Sequence, residues 1–350
     1  SINFIGDSGS GKSLLAKSML IKRLKDKQNS FFIIDNTKEG WTDFTEALGG
    51  EVVDLNNIST PQAYFNPFYF EEILSKEKRA QAIQKLLNFF TALSDQESLS
   101  LEDKDFLGRS LEAFFKSHQR ACLSDLYLFW STWQEEKIAY KWQSLISTYC
   151  HITNGAYAYL LDSKPRLYGN RLELFQFSTI SQERSFSDIC FFLINTELEK
   201  RSEIEDLKLT LIIDEAWRLM QSAKSRSFLS YYARAGRAIE CALWTISQKP
   251  SDLSKEIYSS ASINISFHLK EKSDQEKLKS LVGFEEHELQ LFENNLLKAP
   301  GNCIIKSTYG TDLIKVTVDD KERIICSSEK DSRKLRKDFN NRQRNLSLCT

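Results

Sequence analysis

The stretch GDSGSGKS, residues 6–13, decides the expected fold, because it matches the phosphate-binding pattern GxxxxGK(S/T) at every fixed position. Glycines in such a loop let backbone N–H groups turn inward around an anion, and the N-terminus of a following helix adds partial positive charge. The apolar residues 1–5 predict a buried strand, and the apolar periodicity from Lys12 to about Lys27 predicts a helix. A strand, a glycine-rich loop and a helix in this order predict an α/β nucleotide-binding domain.

The loop and the start of its helix supply the predicted contacts with ATP. We expect Lys12 to reach the β- and γ-phosphates and the Ser13 hydroxyl to bind Mg²⁺. A chance Gly/Ser loop is the alternative, and the flanking strand and helix argue against it. The residues predicted to bind the nucleotide are Gly6, Asp7, Ser8, Gly9, Ser10, Gly11, Lys12, Ser13 and Leu14.

A second signal is the stretch LTLIIDEAW (209–217), in which two acids end a strongly apolar strand. We expect Asp214 to hold Mg²⁺ together with Ser13, and Glu215 to orient or deprotonate the attacking water. A solvated acidic pair at a strand end is the alternative. Because 201 residues separate Ser13 from Asp214, a segment must be inserted into the minimal nucleotide-binding fold.

The third signal is ARAGRAIECALWTISQ (233–248), a helix end followed by a strand. Gln248 ends this strand, where its amide is predicted to sense the γ-phosphate. Arg234 and Arg237 precede the strand and are predicted to reach the nucleotide of a neighbouring subunit, where an arginine stabilises charge in the transition state. The alternative is a pair of surface arginines that favour the C-terminus of their helix.

The spacing of apolar residues predicts how the chain is divided. Between about 70 and 149, Phe and Leu recur at helical intervals while Pro and Gly almost vanish, whereas strands alternate with helices elsewhere and predict a mostly parallel sheet. Residues 153–161 and 171–178 are expected to form a strand pair. The predicted parts are the first part of the nucleotide-binding core (1–69), an inserted all-helical subdomain (70–150), the remainder of the core (151–328) and a mixed-charge C-terminal tail (329–350).

Composition narrows the class of function. Forty-seven basic and 48 acidic residues give a net charge of −1, which does not favour a surface that grips nucleic acid everywhere but is compatible with a locally basic pore. No apolar run approaches the ~18 residues of a membrane span. Seven scattered cysteines without a CxxC pair favour a reducing compartment over a zinc site or disulfide framework.

The two ends of the sequence carry expectations of their own. The chain opens at Ser1 directly before the predicted strand, without an initiator Met or signal peptide, so we expect a fragment of a longer protein. The basic run KDSRKLRKDFNNRQR (330–344) is compatible with a contact to DNA or acidic lipid, and equally with a solvated helix face.

The ordered set of motifs resembles the ATPase domain of the TraC-type family, the conjugative ATPases of bacterial type IV secretion systems within the HerA/FtsK superfamily. The resemblance covers roughly residues 1–330. The segments that carry it, in order, are GDSGSGKS (6–13), FFIID (31–35), NPF (66–68), the helical insertion, a loosely matching strand pair, LIIDEAW (211–217) and the arginine-to-glutamine segment 237–248.

The resemblance implies a RecA-like core that forms a hexamer and hydrolyses ATP to power pilus assembly and substrate transfer. It places the protein at the cytoplasmic side of the bacterial inner membrane with other secretion components, although an isolated fragment is free to stay monomeric. The matching positions are Lys12 and Ser13 in the phosphate loop, Asp214 and Glu215 in the acidic pair, Gln248 as the sensor and Arg237 in an Arg-Lys doublet. Ala238 departs from the doublet's lysine, and Ser247 replaces a usual threonine.

Three functions stay open at this level. The first is the secretion motor, and the second is a DNA translocase of the coupling-protein or HerA/FtsK kind with DNA in its pore. The third is a scaffold that binds ATP and assembles but scarcely hydrolyses it. Glu215 argues against the scaffold, because a protein that only binds nucleotide needs no acid to activate water.

Overall fold

The chain forms two compact units, which are described separately. The first unit comprises Ser1–Asp54, Asn170–Ser178 and Leu198–Thr350, and the second comprises Leu55–Gly169 and Thr179–Glu197. The subdomain bounds expected from the sequence stay a prediction. The computed structural model describes residues 1–35, 40–54, 68, 76–94, 98–118, 121–134, 136–150, 170–176, 191, 194–199, 201–202, 204, 206–217, 223–285, 288, 299 and 301–327.

Nine strands within the described residues form one sheet in the first unit. They are β1 (Ile2–Ile5), β2 (Asn29–Asp35), β3 (Glu51–Asp54), β4 (Leu172–Gln176), β5 (Lys208–Asp214), β6 (Cys241–Ser247), β7 (Ile263–Ser266), β8 (Asn302–Ser307) and β9 (Gly310–Lys315). Their order is β3-β4-β2-β5-β6-β1-β7-β8-β9. Neighbours from β3 to β7 are parallel, and β8 and β9 add antiparallel pairs, so the predicted mostly parallel sheet is confirmed.

Ten α-helices are delimited in the described residues. They are α1 (Lys12–Leu24), α2 (Thr42–Ala47), α3 (Lys76–Leu93), α4 (Leu101–Ser117), α5 (Leu123–Ser131), α6 (Glu136–Cys150), α7 (Ala223–Ala235), α8 (Lys255–Ser260), α9 (Lys272–Val282) and α10 (Asp320–Cys326). Helices α3 to α6 belong to the second unit, and the other six belong to the first. None of the described helices combines the length and apolarity needed to cross a membrane.

The central strands are buried on both faces, so their sequences are continuously apolar rather than alternating. Residues 31–34 of β2 and 211–213 of β5 have no exposed surface. The pairing aligns strand ends as well: Asp35 lies opposite Asp214, and Ile5 lies opposite Ser247. The carboxyl ends of β1, β2, β5 and β6 therefore meet at one edge of the sheet.

The second unit is held together by aromatic side chains on its four described helices. Phe90 packs against Trp130 and Trp142, with ring centroids 5.7 and 5.3 Å apart. Ser100 caps α4 by accepting a hydrogen bond from the backbone N–H of Asp103. The Asp103 carboxylate in turn accepts from Trp142 on α6. The elements delimited among the described residues of this unit are all helices, in line with the apolar spacing.

Two features of the first unit differ from the sequence-based expectation. Residues 171–178 were expected in a strand pair with 153–161, but β4 lies between β3 and β2 and is parallel to both. Helix α10 was not predicted, and it packs against α1. Residues 153–161, the Asn66-Pro67 pair and the tail 329–350 lie outside the described residues.

Candidate nucleotide-binding site

The glycine-rich loop runs from the end of β1 to the start of α1. A Cβ on Gly6 would lie 2.6 Å from the Cβ of buried Phe267, so only glycine fits at this close approach. Gly11 has a φ of +109° at the N-cap of α1 and offers no side chain to cap the helix. The backbone N–H of Lys270 donates to Asp7 Oδ2 over 2.8 Å, which ties the loop to the segment after β7.

Lys12 lies folded across this loop. Its Nζ donates to the carbonyl oxygens of Gly6 and Asp7 over 2.6 and 2.8 Å, and the side chain is 6% exposed. Burial lowers the pKa of Lys12, while the nearby carboxyl groups of Asp214 and Glu215 act in the opposite direction. The charged end of Lys12 is thus held by loop carbonyls beside the acidic pair.

The Asp214 carboxylate is buried and contacted from three sides. Ser13 Oγ donates to Oδ2 over 3.4 Å, Trp41 Nε1 donates to the same oxygen over 2.7 Å, and the Glu215 backbone N–H donates to Oδ1 over 2.9 Å. Burial raises the pKa of Asp214, and the charge of Glu215 raises it further, against the hydrogen bond from Trp41. This buried carboxylate is therefore directed towards the first turn of α1.

Both carboxylate oxygens of Glu215 accept hydrogen bonds. Gln248 Nε2 donates to Oε1 over 2.6 Å, and Trp217 Nε1 donates to Oε2 over 2.7 Å. Gln248 reaches Glu215 because β6 lies between β5 and β1 in the sheet. The amide thus lies between the acidic strand end and the glycine-rich loop.

The residues present fit ATP and Mg²⁺. The Ser13 hydroxyl and the Asp214 carboxylate approach each other, and oxygen groups of this kind are the ligands that Mg²⁺ takes in proteins. The hydroxyl of Ser10 is buried inside the loop and has no hydrogen-bond partner among the described residues. The loop also presents the free N-terminus of α1, which favours an anion. Ser13 and Asp214 would hold the metal, and the loop and Lys12 would hold the phosphates.

The predicted site residues separate into two groups. Lys12, Ser13, Asp214, Glu215 and Gln248 come together at the carboxyl edge of the sheet. Within the loop, Ser8 and Gly9 are exposed. The Leu14 side chain packs partly against the hydrophobic core, and its place among the nucleotide contacts stays a prediction.

Arg234 and Arg237 lie at the opposite edge of the sheet. Both are exposed and precede β6, whose seven residues extend about 20 Å towards Gln248. Arg234 forms an ion pair with Glu256. Within one subunit, neither arginine is near the glycine-rich loop.

Three residues at the site were not expected from the sequence. Trp41 and Trp217 donate to the acidic pair, and Lys17 is buried with its Nζ 5.0 Å from the centroid of the Trp41 ring. Trp217 stands beside the acids in LIIDEAW, but apolar spacing does not distinguish an indole that donates from one that fills the core. Trp41 lies far along the chain from Asp214 and meets it only in the folded sheet.

Comparison with known proteins agrees with this architecture. The family model described as the TraG P-loop domain matches residues 2–292. The structure of VirB4 of Thermoanaerobacter pseudethanolicus superposes with a TM-score of 0.67 at 19% identity, covering 92% of this chain and 90% of that one. A comparison with curated proteins found no match.

Two structures of a plasmid coupling protein are also similar. The bacterial conjugative coupling protein TrwBdeltaN70, in an unbound form, has a TM-score of 0.51 at 12% identity and covers 91% of this chain and 84% of that one. TrwB in complex with the non-hydrolysable GTP analogue GDPNP has a TM-score of 0.50 at 13% identity, with coverages of 91% and 86%. At these identities the structures show the common fold, and the predicted P-loop NTPase fold is confirmed.

Proposed function

Because the chain belongs to the TraG P-loop domain family, we propose that it is an ATP-hydrolysing motor domain that powers a bacterial type IV secretion or conjugation apparatus. The observation that carries this proposal is the convergence of Lys12, Ser13, Asp214, Glu215 and Gln248 at one edge of the sheet. Family membership supports the biological setting of pilus biogenesis and substrate transfer.

The first residues of the site bind the nucleotide in this proposal. Lys12 exchanges the carbonyls of Gly6 and Asp7 for the β- and γ-phosphates, which offer stronger, charge-assisted hydrogen bonds. Ser13 and Asp214 hold Mg²⁺, which neutralises negative charge on the phosphate oxygens. The loop N–H groups and the α1 N-terminus complete the anion site.

Glu215 and Gln248 then act on the attacking water. The Glu215 carboxylate orients the water or accepts its proton, and the Gln248 amide registers whether a γ-phosphate is present. The hydrogen bond of 2.6 Å between the two side chains supports this pairing, because movement of one side chain is transmitted to the other.

The position of the two arginines supports assembly into a ring. Arg237 lies about 20 Å from the glycine-rich loop of its own subunit, so any action on a nucleotide requires that of a neighbour. We therefore propose a homo-hexamer in which Arg237, with Arg234 beside it, faces the next subunit. In the assembled machine this ring lies at the cytoplasmic side of the inner membrane with other secretion components.

The experiment that tests the proposal is steady-state ATP hydrolysis as a function of protein concentration, with and without single- and double-stranded DNA. A ring-forming secretion motor shows turnover per subunit that rises with concentration and does not respond to DNA. Absence of turnover at every concentration, with ATP bound, would instead support the scaffold.

The same experiment distinguishes the DNA translocase. Turnover that appears only when DNA is added, and that falls steeply with salt, indicates that phosphate contacts with DNA control the motor. The Glu215→Gln variant provides the matched chemical control, because it keeps the size of the side chain but cannot accept a proton from water.

A further inference from the structure

We infer that two tryptophans position the acidic pair: Trp41 orients Asp214 towards the metal site, and Trp217 orients Glu215 towards the attacking water. The inference rests on the proposed function, since it assigns positioning residues to that same site. The juxtaposition that carries it is two indole N–H groups, each 2.7 Å from an oxygen of a different acid.

Trp41 is built to hold a fixed orientation. Its ring is fully buried, with Phe44 packed edge-on at 5.4 Å between centroids and the Lys17 ammonium 5.0 Å from the ring centroid. Such packing leaves the indole no room to rotate, and it fixes the direction of the N–H group. The donor is therefore placed by the surrounding core before any ligand arrives.

The contact leaves Asp214 able to bind a metal ion. A carboxylate oxygen has two lone pairs, so the bond from Trp41 occupies one direction at Oδ2 and leaves the other. Ser13 Oγ approaches this same oxygen. Trp41 thus selects the rotation of the carboxylate in which Oδ2 faces Ser13.

Trp217 makes the corresponding contact with Glu215 from the surface. Glu215 has a φ of +53°, in the left-handed region that is strained for residues other than glycine. The Trp217 indole, 37% exposed, lies against its carboxylate, while Gln248 holds the second oxygen. Two donors from different segments define the plane of the carboxylate and leave a lone pair on each oxygen for water.

The two indoles therefore serve different steps. Trp41 contacts the acid that faces Ser13, so its loss is expected to weaken the gain in nucleotide affinity that Mg²⁺ provides. Trp217 contacts the acid that faces water, so its loss is expected to slow hydrolysis without weakening binding. Removal of an outer contact of this kind around a metal or catalytic group typically lowers metal affinity or activity by about 10- to 100-fold.

The first test uses the Trp41→Phe variant, which keeps a ring in the core but removes the N–H donor. We expect its affinity for ATP without Mg²⁺ to match wild type, and the increase in affinity on adding Mg²⁺ to shrink by about tenfold. Titration calorimetry with a non-hydrolysable ATP analogue measures both affinities. An undiminished Mg²⁺ effect overturns the role of Trp41, and equal loss of both affinities shows that the residue is only structural.

The second test uses Trp217→Phe, for which we expect unchanged affinity for Mg²⁺-ATP and turnover lowered by about tenfold or more. In a Glu215→Gln background the same change is expected to cause no further loss of turnover. A thermal-unfolding cycle of Trp217→Phe with Glu215→Ala, measured without nucleotide, gives the coupling of the two side chains independently of activity. The role of Trp217 is overturned if its effect on turnover persists in the Glu215→Gln background and its effect on unfolding simply adds to that of Glu215→Ala.

Trp244 provides the matched control. It is buried in β6 of the same sheet, and its indole N–H has no hydrogen-bond partner among the described residues. Trp244→Phe is expected to lower stability without altering the Mg²⁺ effect or the coupling to Glu215. If wild-type protein itself shows no turnover, the proposed function fails, while the calorimetric and unfolding tests still decide the two tryptophan contacts.

Discussion

At the scale of single residues, the loop between β1 and α1 is defined by a close approach at Gly6 and by a buried charge at Lys12. The Gly6 backbone passes so near Phe267 that a methyl group cannot be added without displacing the core. The Lys12 ammonium is held by two loop carbonyls beside two acids. Both positions follow from the phosphate-binding pattern, and each supports a prediction about one side chain.

Replacement of Lys12 by alanine is expected to abolish productive ATP handling while the fold stays intact. The ammonium supplies positive charge to the transferring phosphoryl group, and removal of one such preorganised electrostatic contact typically lowers turnover by about 10²–10³-fold. ATP hydrolysis and thermal unfolding measure the two effects. Lys22→Ala, an exposed position on α1, serves as the control, and normal turnover in Lys12→Ala would contradict the assignment of the loop.

Replacement of Gly6 by alanine is expected to lower both stability and nucleotide affinity. The new Cβ would lie 2.6 Å from Phe267 Cβ, and overpacking of this kind costs about 1–3 kcal/mol. Gly108→Ala is the matched control, because Gly108 lies within α4 with open space around it. That change is expected to stabilise the protein by up to about 1 kcal/mol, so thermal unfolding should shift in opposite directions for the two variants.

At the scale of elements, the β8–β9 hairpin is tied to the preceding segment by one carboxylate. Glu288 accepts hydrogen bonds from Lys306 over 2.6 Å, from the Glu285 backbone N–H over 2.7 Å and from Thr311. Burial by itself would raise the pKa of Glu288, but these donors outweigh it and lower the pKa to about 2. Since both hairpin strands contact Glu288, the charge on this residue helps to secure the antiparallel edge of the sheet.

This shift predicts how stability depends on pH. The pKa of Glu288 in the folded state lies below its ordinary value of 4.5, so its contribution is present above about pH 4.5 and is lost as pH falls towards 2. Glu288→Gln is therefore expected to lower the free energy of unfolding by about 1 kcal/mol at pH 7, a modest value because solvent screens part of the ion pair. Denaturant unfolding at several pH values should show the difference shrinking below pH 4.5.

The control for this prediction is Glu276→Gln, at an exposed position on α9. We expect it to leave the free energy of unfolding within about 0.5 kcal/mol of wild type. A Glu288→Gln effect that stays constant from pH 7 to pH 3 would show that the carboxylate charge does not stabilise the hairpin.

At the scale of the whole molecule, the sheet of the first unit separates two sets of predicted functional residues. The acidic pair, Lys12 and Gln248 lie at the carboxyl edge, whereas Arg234 and Arg237 lie at the amino edge. One strand length of about 20 Å stands between them. Within one chain the two sets therefore do not meet, and their joint action on one nucleotide, as we propose, would require a second copy of the chain.

Replacement of Arg237 by alanine is accordingly expected to impair hydrolysis only in the assembled state. An arginine supplied by a neighbouring subunit raises turnover by about 10³–10⁵-fold where it completes a phosphoryl-transfer site. Turnover per subunit should rise with concentration in wild type and stay at its low-concentration value in the variant. Arg109→Ala, an exposed position on α4 of the second unit, is the control, and an equal loss at all concentrations would place the role of Arg237 within its own subunit.

Local pattern was enough to predict much of this protein. Continuous apolar runs predicted the central strands, helical spacing predicted the helices of the second unit, and GDSGSGKS with LIIDEAW predicted which residues approach a nucleotide. These features depend on residues close together in the chain, because helices and strands bury their apolar side chains at characteristic spacings that can be read from the sequence. The roles of the predicted residues in chemistry stay a prediction.

Only the tertiary structure decided which distant segments meet. It placed β4 in parallel between β2 and β3, brought Trp41 to Asp214 across 173 residues, and left Arg237 at the edge away from the glycine-rich loop. Such contacts depend on strand order and on the packing of side chains around each donor. Neither property can be read from the spacing of apolar residues along the sequence. The sequence by itself therefore determined the central strands, the helices of the second unit and the glycine-rich loop, whereas the fold decided how the acidic pair is held and at which edge of the sheet the two arginines lie.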